Sequence, residues 1–169
     1  MTMTRAAIVD IVAGWQSAQV RYLLVGGLAV IAHGLVRLTT DIDVVLDLEP
    51  HAARKALEVL DRLGYRPRAP VAIGDFADVH QRHSWQRDKD MVVFSLWHPQ
   101  EVAEIDLFLA APFDFEAAWN DALWAEIAPG QPAAFVDYHR LLAMKQSAGR
   151  PKDLEDIELL ELLHRDGAS

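Results

Sequence analysis

Two aspartates separated by one residue, Asp41 and Asp43, lie in a short, largely β-branched run that ends near Asp47. The length and composition of this run predict a strand. Because successive side chains of a strand point to opposite faces, the two carboxylates share one face. Such proximity is unfavourable unless a cation, an arginine or a shared proton offsets the charges. Mg²⁺ suits this role, since it prefers oxygen ligands and binds one or two protein carboxylates together with substrate phosphates.

The aspartate pair alone also fits an exposed strand edge, so its neighbourhood matters. A third acid, Asp106, lies in the apolar run Ile105–Leu109, where a charge is costly unless it has a partner. Glu104 shares its face and competes for the same role. Gly26 and Gly27 follow a predicted strand and open a predicted helix. Backbone N–H groups at such a turn can receive phosphate oxygens, although a tight turn in a crowded core also explains the glycines.

Basic residues that could offset phosphate charge lie on both sides of this region. Arg37 precedes the aspartates, where it can contact phosphate or pair with an acid. Lys145, Arg150 and Lys152 could do the same, or they could form a solvated helix junction. We expect Lys145 at the margin of an apolar helix face, with its stem packed and its ammonium facing a phosphate. Its removal should then leave the fold intact.

The acids of the last helix are interpreted as structural, because acidic residues in a first turn favourably meet the helix dipole. They are Asp153, Glu155, Asp156 and Glu158. The pair His80-x-x-His83 has a spacing that could reach a metal, but its irregular surroundings favour polar surface.

Composition narrows the function classes. The chain has 169 residues, 51% of them hydrophobic, which suits one compact domain. It has no cysteine, so thiolate metal sites and cysteine nucleophiles are excluded. A net charge of −9 disfavours binding to extended nucleic acid, although a local basic pocket for a tRNA end stays open. No membrane span or secretion signal is evident, and we expect a cytoplasmic protein.

The predicted elements that position these residues alternate between helices and strands. A first helix precedes a strand at Arg21–Val25, and further strands are predicted at Met91–Trp97, Ala103–Leu109 and about Ala133–Val136. A helix is expected from Asp114 to about Trp124, and two helices follow Asp137 and Pro151. Residues 65–89 are expected to form a strand and then an irregular loop. The order predicts an α/β or α+β domain with a mixed sheet, a core at about 20–110 and a helical part at about 113–169.

The glycine turn and the aspartate strand together resemble a known family. Val25–Gly34 reads Val-Gly-Gly-Leu-Ala-Val-Ile-Ala-His-Gly, and Arg37–Val45 reads Arg-Leu-Thr-Thr-Asp-Ile-Asp-Val-Val. This pattern looks like the signature of polymerase-β-type nucleotidyltransferases, and it is most similar to the bacterial abortive-infection E toxin branch. The run Lys145–Asp156 is similar to the C-terminal motif of that branch. Many members of the wider superfamily have Gly-Ser at the turn, whereas this chain has Gly-Gly.

The resemblance implies a mixed twisted sheet flanked by helices and transfer of a nucleoside monophosphate from an NTP. Gly26 and Gly27 would cradle the triphosphate, with Arg37 and Thr39 of the same signature at the nucleotide. The three aspartates would hold two Mg²⁺ ions. Two such ions about 3.5 to 4 Å apart can stabilise both oxygens of an in-line displacement.

Several functions stay open at this point. The acceptor hydroxyl could belong to a tRNA end, a protein or a small molecule, and a toxin-system enzyme would have an antitoxin partner. An antibiotic-modifying enzyme of the aminoglycoside type is the main alternative, because an acidic pocket suits a polycationic drug. A non-catalytic binding partner that retains the fold is a further alternative.

Overall fold

The computed structural model describes residues 2–167, with side chains from Ala6 onward. Seven strands form one mixed sheet in the order β3-β4-β5-β2-β1-β7-β6. The strands are β1 (Tyr22–Val25), β2 (Ile42–Leu46), β3 (Arg66–Pro67), β4 (Val93–Trp97), β5 (Ile105–Phe108), β6 (Leu123–Ala128) and β7 (Gln131–Phe135). The helices are α1 (Thr2–Ser17), α2 (Gly26–Ala32), α3 (Pro50–Arg62), α4 (Val79–Lys89), α5 (Phe115–Asn120), α6 (Tyr138–Ala148) and α7 (Pro151–Gly167).

The centre of the sheet explains the continuous apolar runs in the sequence. Every residue of β1 is buried, and β2 is buried except at Asp43, which is partly exposed. A strand that is buried on both faces loses the alternation of polar and apolar residues that marks a half-exposed strand. The largest fully buried side chains include Trp15 of α1, Tyr22 of β1 and Phe94 of β4. All three belong to one core, which α1 therefore shares with the sheet.

Strand directions differ on the two sides of β2. It pairs antiparallel with β1 and parallel with β5, and β5 pairs antiparallel with β4. The expected mixed sheet with flanking helices is therefore confirmed. The connection between β4 and β5 is also antiparallel, as the sequence predicted for Met91–Trp97 and Ala103–Leu109.

The expectation of an irregular loop across residues 65–89 is wrong. After the short strand β3, the chain forms a 3-10 helix (Ile73–Ala77) and then α4. Asp78 begins α4, since its carboxylate accepts hydrogen bonds from the backbone N–H groups of His80 and Gln81. The helix was missed because only a few of its side chains are buried, and one of them is charged. Arg82 is 4% exposed and donates from Nη1 to the carbonyl oxygen of Phe76 at 2.6 Å.

The predicted helix from Asp114 to Trp124 is wrong in its second half. The helix α5 ends at Asn120, and the next residues form β6, which pairs antiparallel with β7. Gly130 makes the turn between these strands with a φ of +74°. The pairing with β7 outweighs the local helical preference of the segment, and that pairing depends on a strand further along the chain. The strand expected at about Ala133–Val136 is confirmed as the end of β7.

The caps of the C-terminal helices agree with the sequence. Asp137 accepts a hydrogen bond from the backbone N–H of Arg140, which begins α6. Gly149 ends α6 in the left-handed conformation, with a φ of +63°. No helix within residues 2–167 has the combination of length and apolar character that a bilayer crossing requires.

The helix α4 is part of the core, so we expect Trp85→Ala to lower the free energy of unfolding by about 3 to 5 kcal/mol. Trp85 is 5% exposed and stacks on Phe94 of β4, with ring centroids 5.1 Å apart. Urea denaturation measures the loss. The matched control is His83→Ala at an exposed position of the same helix, which should change stability by less than about 0.5 kcal/mol. Similar losses in both variants would contradict the packing of α4 on the sheet.

Candidate active site

Two of the predicted acids lie side by side on neighbouring strands. Asp43 of β2 and Asp106 of β5 are register partners in the parallel pair. Their side chains therefore leave the sheet on the same face, next to each other. Asp41 lies immediately before β2 and is exposed. The three carboxylates line one cavity of about 400 Å³.

The cavity brings together ten residues that the sequence and the family resemblance predicted to contact metal or nucleotide. Its lining includes Gly26, Gly27, Arg37, Thr39, Asp41, Asp43, Asp106, Lys145, Arg150 and Lys152. These residues come from the turn after β1, the loop before β2, the strands β2 and β5, and the junction of α6 and α7. The fold thus assembles segments that are more than 100 residues apart in the chain.

The first residue of the turn must be glycine, because of its backbone conformation and because the carboxylate of Asp43 lies beside it. Gly26 has a φ of +62°, a conformation that residues with a Cβ rarely adopt. A Cβ on Gly26 would also lie 2.2 Å from Oδ2 of Asp43. The turn after β1 is therefore packed directly against the acid of β2.

Burial and mutual repulsion disturb the ionisation of the two inner acids. Burial, together with the nearby charges of Asp106 and Asp41, raises the pKa of Asp43 to about 6, although Arg150 and Lys145 act in the opposite direction. Burial also raises the pKa of Asp106. A hydrogen bond from Ser95 Oγ to Asp106 Oδ1, 2.6 Å long, partly offsets that effect. The site thus holds acids whose charges lack full compensation within the chain.

The basic residues of the cavity are held by two acids of α7. Lys145 is 8% exposed, and its Nζ lies 2.9 Å from Oδ2 of Asp156 and 3.5 Å from Oδ1 of Asp153. Arg37 also pairs with Asp156, and Arg150 Nε lies 2.7 Å from Oδ2 of Asp153. Burial would raise the pKa of Asp153, but the hydrogen bonds and charge of Arg150, with the charge of Lys145, lower it overall.

Sequence reasoning missed the role of Asp153 and Asp156. Both were assigned to the helix dipole with their exposed neighbours, yet they are only 3% and 5% exposed. Their spacing carried a signal, because Arg150, Asp153 and Asp156 follow at three-residue steps and share one helix face. Asp153 and Asp156 lie on the face of α7 that contacts Lys145 and Arg37. Their main role is therefore to form ion pairs rather than to interact with the helix dipole.

Other candidates lie apart from the cavity. Glu104, the competitor of Asp106, pairs with Arg68 and does not line the cavity. His80 and His83 lie on the exposed surface of α4. Neither observation supports a second site at these residues.

The chemistry of the donors fits a divalent cation that needs further ligands from a substrate. Within the described residues, no three His, Cys, Asp or Glu side chains are placed so that they could hold a metal ion together without other ligands. The carboxylates of Asp43 and Asp106 are adjacent, Asp41 faces the same cavity, and each disfavours the charge of its neighbours. Mg²⁺ commonly binds in this way, with one or two carboxylates, several waters and phosphate oxygens.

Comparisons with known proteins bear on the fold. No protein-family model matches the chain, and comparison with curated proteins gives no significant match. Among solved structures, the antibiotic-resistance factor ANT(2'')-Ia in solution is similar with a TM-score of 0.62 and 16% identity, over 99% of this chain and 92% of that chain. The lincosamide antibiotic adenylyltransferase LnuA, with lincomycin bound, is similar with a TM-score of 0.57 and 16% identity, over 88% and 90% of the two chains.

A third similar structure has a broader description. It is an antigenic nucleotidyltransferase-like protein from Paracoccidioides brasiliensis, with a TM-score of 0.61 and 16% identity, over 95% of this chain and 76% of that chain. The chain has the nucleotidyltransferase fold. This is the fold that the sequence resemblance implies, and none of these three structures is described as an abortive-infection E protein.

In this nucleotidyltransferase fold, replacement of Asp43 should stabilise the metal-free protein in a pH-dependent way. The pKa of Asp43 is raised to about 6 in the folded state, so the folded protein holds this proton more tightly than the unfolded chain. Stability is therefore lost as pH rises from about 4 to about 6. We expect Asp43→Asn to melt at a higher temperature than the unmodified protein at pH 7.5 in EDTA, and the gain to disappear near pH 4. Asp61→Asn, at an exposed position of α3, is the control. A gain that is equal at both pH values would contradict the assignment.

The ion pairs of Lys145 change what its removal should do. The sequence alone suggested an intact fold after Lys145→Ala, but the structure shows an ammonium buried against two carboxylates. Removal of one partner from such a cluster leaves buried charge uncompensated, and we expect a loss of about 3 kcal/mol in unfolding free energy. Lys152→Ala, at an exposed position of the same cavity, should cost less than about 0.5 kcal/mol. Equal melting temperatures for the two variants would contradict the structural role of Lys145.

Proposed function

We propose that this protein is a metal-dependent nucleotidyltransferase that transfers a nucleoside monophosphate from an NTP to a hydroxyl group and releases pyrophosphate. The observation that carries the proposal is the composition of the cavity. Adjacent carboxylates of β2 and β5 form one side, and basic residues from α6, α7 and the loop before β2 complete it. A site with both charges suits a ligand that brings phosphate groups and cations together.

The residues divide into two groups by the part of the ligand that they would contact. Asp43, Asp106 and Asp41 would hold Mg²⁺, in two ions by analogy with the superfamily. Bound there, the ions would stabilise charge on the attacking and leaving oxygens. The remaining oxygen of Asp106, opposite the one that Ser95 contacts, can accept a hydrogen bond from an acceptor hydroxyl.

The phosphate contacts would come from the turn and from the basic residues. Gly26 and Gly27 line the cavity, where their backbone N–H groups could contact phosphate oxygens. Arg150 and Lys152 are exposed, and Arg150 is paired with Asp153 at the edge of the cavity. Both could contact phosphate oxygens. Lys145 and Arg37 are fixed by Asp156, so their charges are already in place before a ligand arrives. Fixed charges of this kind need little rearrangement when phosphate binds.

The acceptor belongs to one of two classes that the observations favour for different reasons. The motif from Lys145 to Asp156 resembles the toxin branch, which favours a macromolecular acceptor such as a tRNA end and an antitoxin partner. The folds of LnuA, described as a lincosamide antibiotic adenylyltransferase, and of ANT(2'')-Ia, described as an antibiotic-resistance factor, favour a small-molecule acceptor. The net charge of −9 agrees better with a cationic drug than with tRNA.

The catalytic proposal predicts magnesium-dependent binding of an NTP that Asp43→Asn abolishes. The amide keeps the shape of the side chain but removes the charge that holds a divalent ion. Calorimetry with each of ATP, GTP, CTP and UTP, with and without Mg²⁺, measures binding. Transfer of α-labelled NTP to bulk tRNA, tobramycin or lincomycin measures activity and identifies the class of acceptor.

Asp61→Asn is the matched control, because the same chemical change falls on an exposed helix position. If the unmodified protein binds no NTP in the presence of Mg²⁺, the chain is a binding module that has retained the fold. Transfer by Asp43→Asn at the unmodified rate would refute the metal-binding role of that residue.

A further inference from the structure

The two glycines of the turn after β1 are required for different reasons. Gly26 has a left-handed backbone, whereas Gly27 is absent from the positions with positive φ. Its backbone would therefore accept a side chain. The obstacle at Gly27 is a single neighbour, since an added Cβ would lie 2.7 Å from Oγ1 and 2.9 Å from Cβ of Thr39. Real Cβ atoms essentially never approach other atoms so closely.

The hydroxyl group of Thr39 lies next to Gly27 of the turn and makes only a weak hydrogen bond. Thr39 is partly exposed and lines the cavity together with both glycines. Its Oγ1 donates to the backbone oxygen of Asp41 at 3.4 Å. Hydrogen bonds from hydroxyl groups are usually 2.5 to 3.0 Å long, so this contact is weak. A hydroxyl rotates easily about its C–O bond, and a better acceptor in the cavity would draw it away.

The position of this hydroxyl is set by the loop that carries Asp41. Thr39 lies two residues before that acid, on the segment that enters β2. Its β-branched side chain has few rotamers, which holds Oγ1 near one place. Oγ1 thus occupies the space into which a side chain at position 27 would project.

We propose that Thr39 donates a hydrogen bond to a phosphate oxygen of the bound triphosphate, and that its side chain is the reason why position 27 is glycine. The inference rests on the proposed function, because it needs a phosphate ligand in the cavity. Oγ1 of Thr39 and a side chain at position 27 would occupy the same space. The hydroxyl group therefore comes from the loop before β2 and not from the turn after β1. A serine at position 27 could donate the same hydrogen bond only if the side chain of Thr39 were removed.

The hydroxyl is tested with variants that separate its chemistry from its shape. Thr39→Val keeps the branched shape and removes the donor, and it should raise the dissociation constant of magnesium tripolyphosphate about tenfold or more, the effect of one lost hydrogen bond to a charged group. Thr39→Ser restores the donor and should bind within about threefold of the unmodified protein. The affinity for ATP, GTP, CTP and UTP, measured by calorimetry, should change in parallel.

The spatial relation is tested by exchanging the hydroxyl between the two positions. Gly27→Ser alone should lower the melting temperature, because its Cβ meets Thr39. Gly27→Ser combined with Thr39→Gly removes that conflict, so it should melt above Gly27→Ser. It should also bind magnesium tripolyphosphate more tightly than Thr39→Gly alone.

The outcomes distinguish the inference from the function on which it rests. If the unmodified protein binds neither tripolyphosphate nor any NTP with Mg²⁺, both proposals fail. If it binds and Thr39→Val binds equally well, the inference alone is overturned. A loss in Thr40→Val as large as that in Thr39→Val would also overturn it, since Thr40 lines the cavity without approaching Gly27. An unchanged melting temperature in Gly27→Ser would refute the stated reason for the glycine.

Discussion

The repulsion among clustered carboxylates is the constraint on which the rest of the site depends. Asp43 and Asp106 are forced together by strand register, and Asp41 adds its charge at the same edge. Burial makes the charges of Asp43 and Asp106 more costly than they would be in water. Positive charge must therefore lie nearby. The basic side chains of Lys145, Arg150 and Lys152, from the C-terminal helices α6 and α7 and their junction, line the same cavity and supply it.

Two further carboxylates, those of Asp153 and Asp156, form ion pairs with the basic side chains of the cavity. The site therefore has an inner layer of acids on β2 and β5 and a second layer in which basic side chains are paired with acids of α7. Asp156 contacts both Arg37 and Lys145, and so ties the loop before β2 to the C-terminal helices. Asp153 does the same for Lys145 and Arg150. A buried ion pair adds little net stability, but the loss of one partner is costly. The second layer thus fixes where the positive charge lies, which is what recognition of a triphosphate requires.

The glycine turn shows how tightly backbone and side chains are matched at the same place. Gly26 leaves room for Asp43, and Gly27 leaves room for Thr39. Both neighbours belong to the segment that enters β2, so the turn and the acidic strand are complementary surfaces. The short motif that contains Arg37, Thr39, Asp41 and Asp43 is therefore a packing unit as well as the set of residues proposed to bind metal and phosphate.

The sequence by itself predicted the central strands, the glycine turn and the aspartate pair, because continuous apolar runs, glycine turns and charges in apolar strands are local signals. The ten residues that it predicted for metal or nucleotide line one cavity, and their roles there stay a prediction. The sequence could not determine what depends on distant partners. The strand β6 exists through its pairing with β7, and α4 exists through the packing of Trp85 on Phe94 of β4 and the hydrogen bond of Arg82 to Phe76. The spacing of Asp153 and Asp156 shows that they share one face of α7, but the exposed acids Glu155 and Glu158 have the same spacing, so the spacing alone does not show which face is buried. Only the packing of α7 against Lys145 and Arg37 decided which acids of that helix are buried, because burial is a property of the assembled fold.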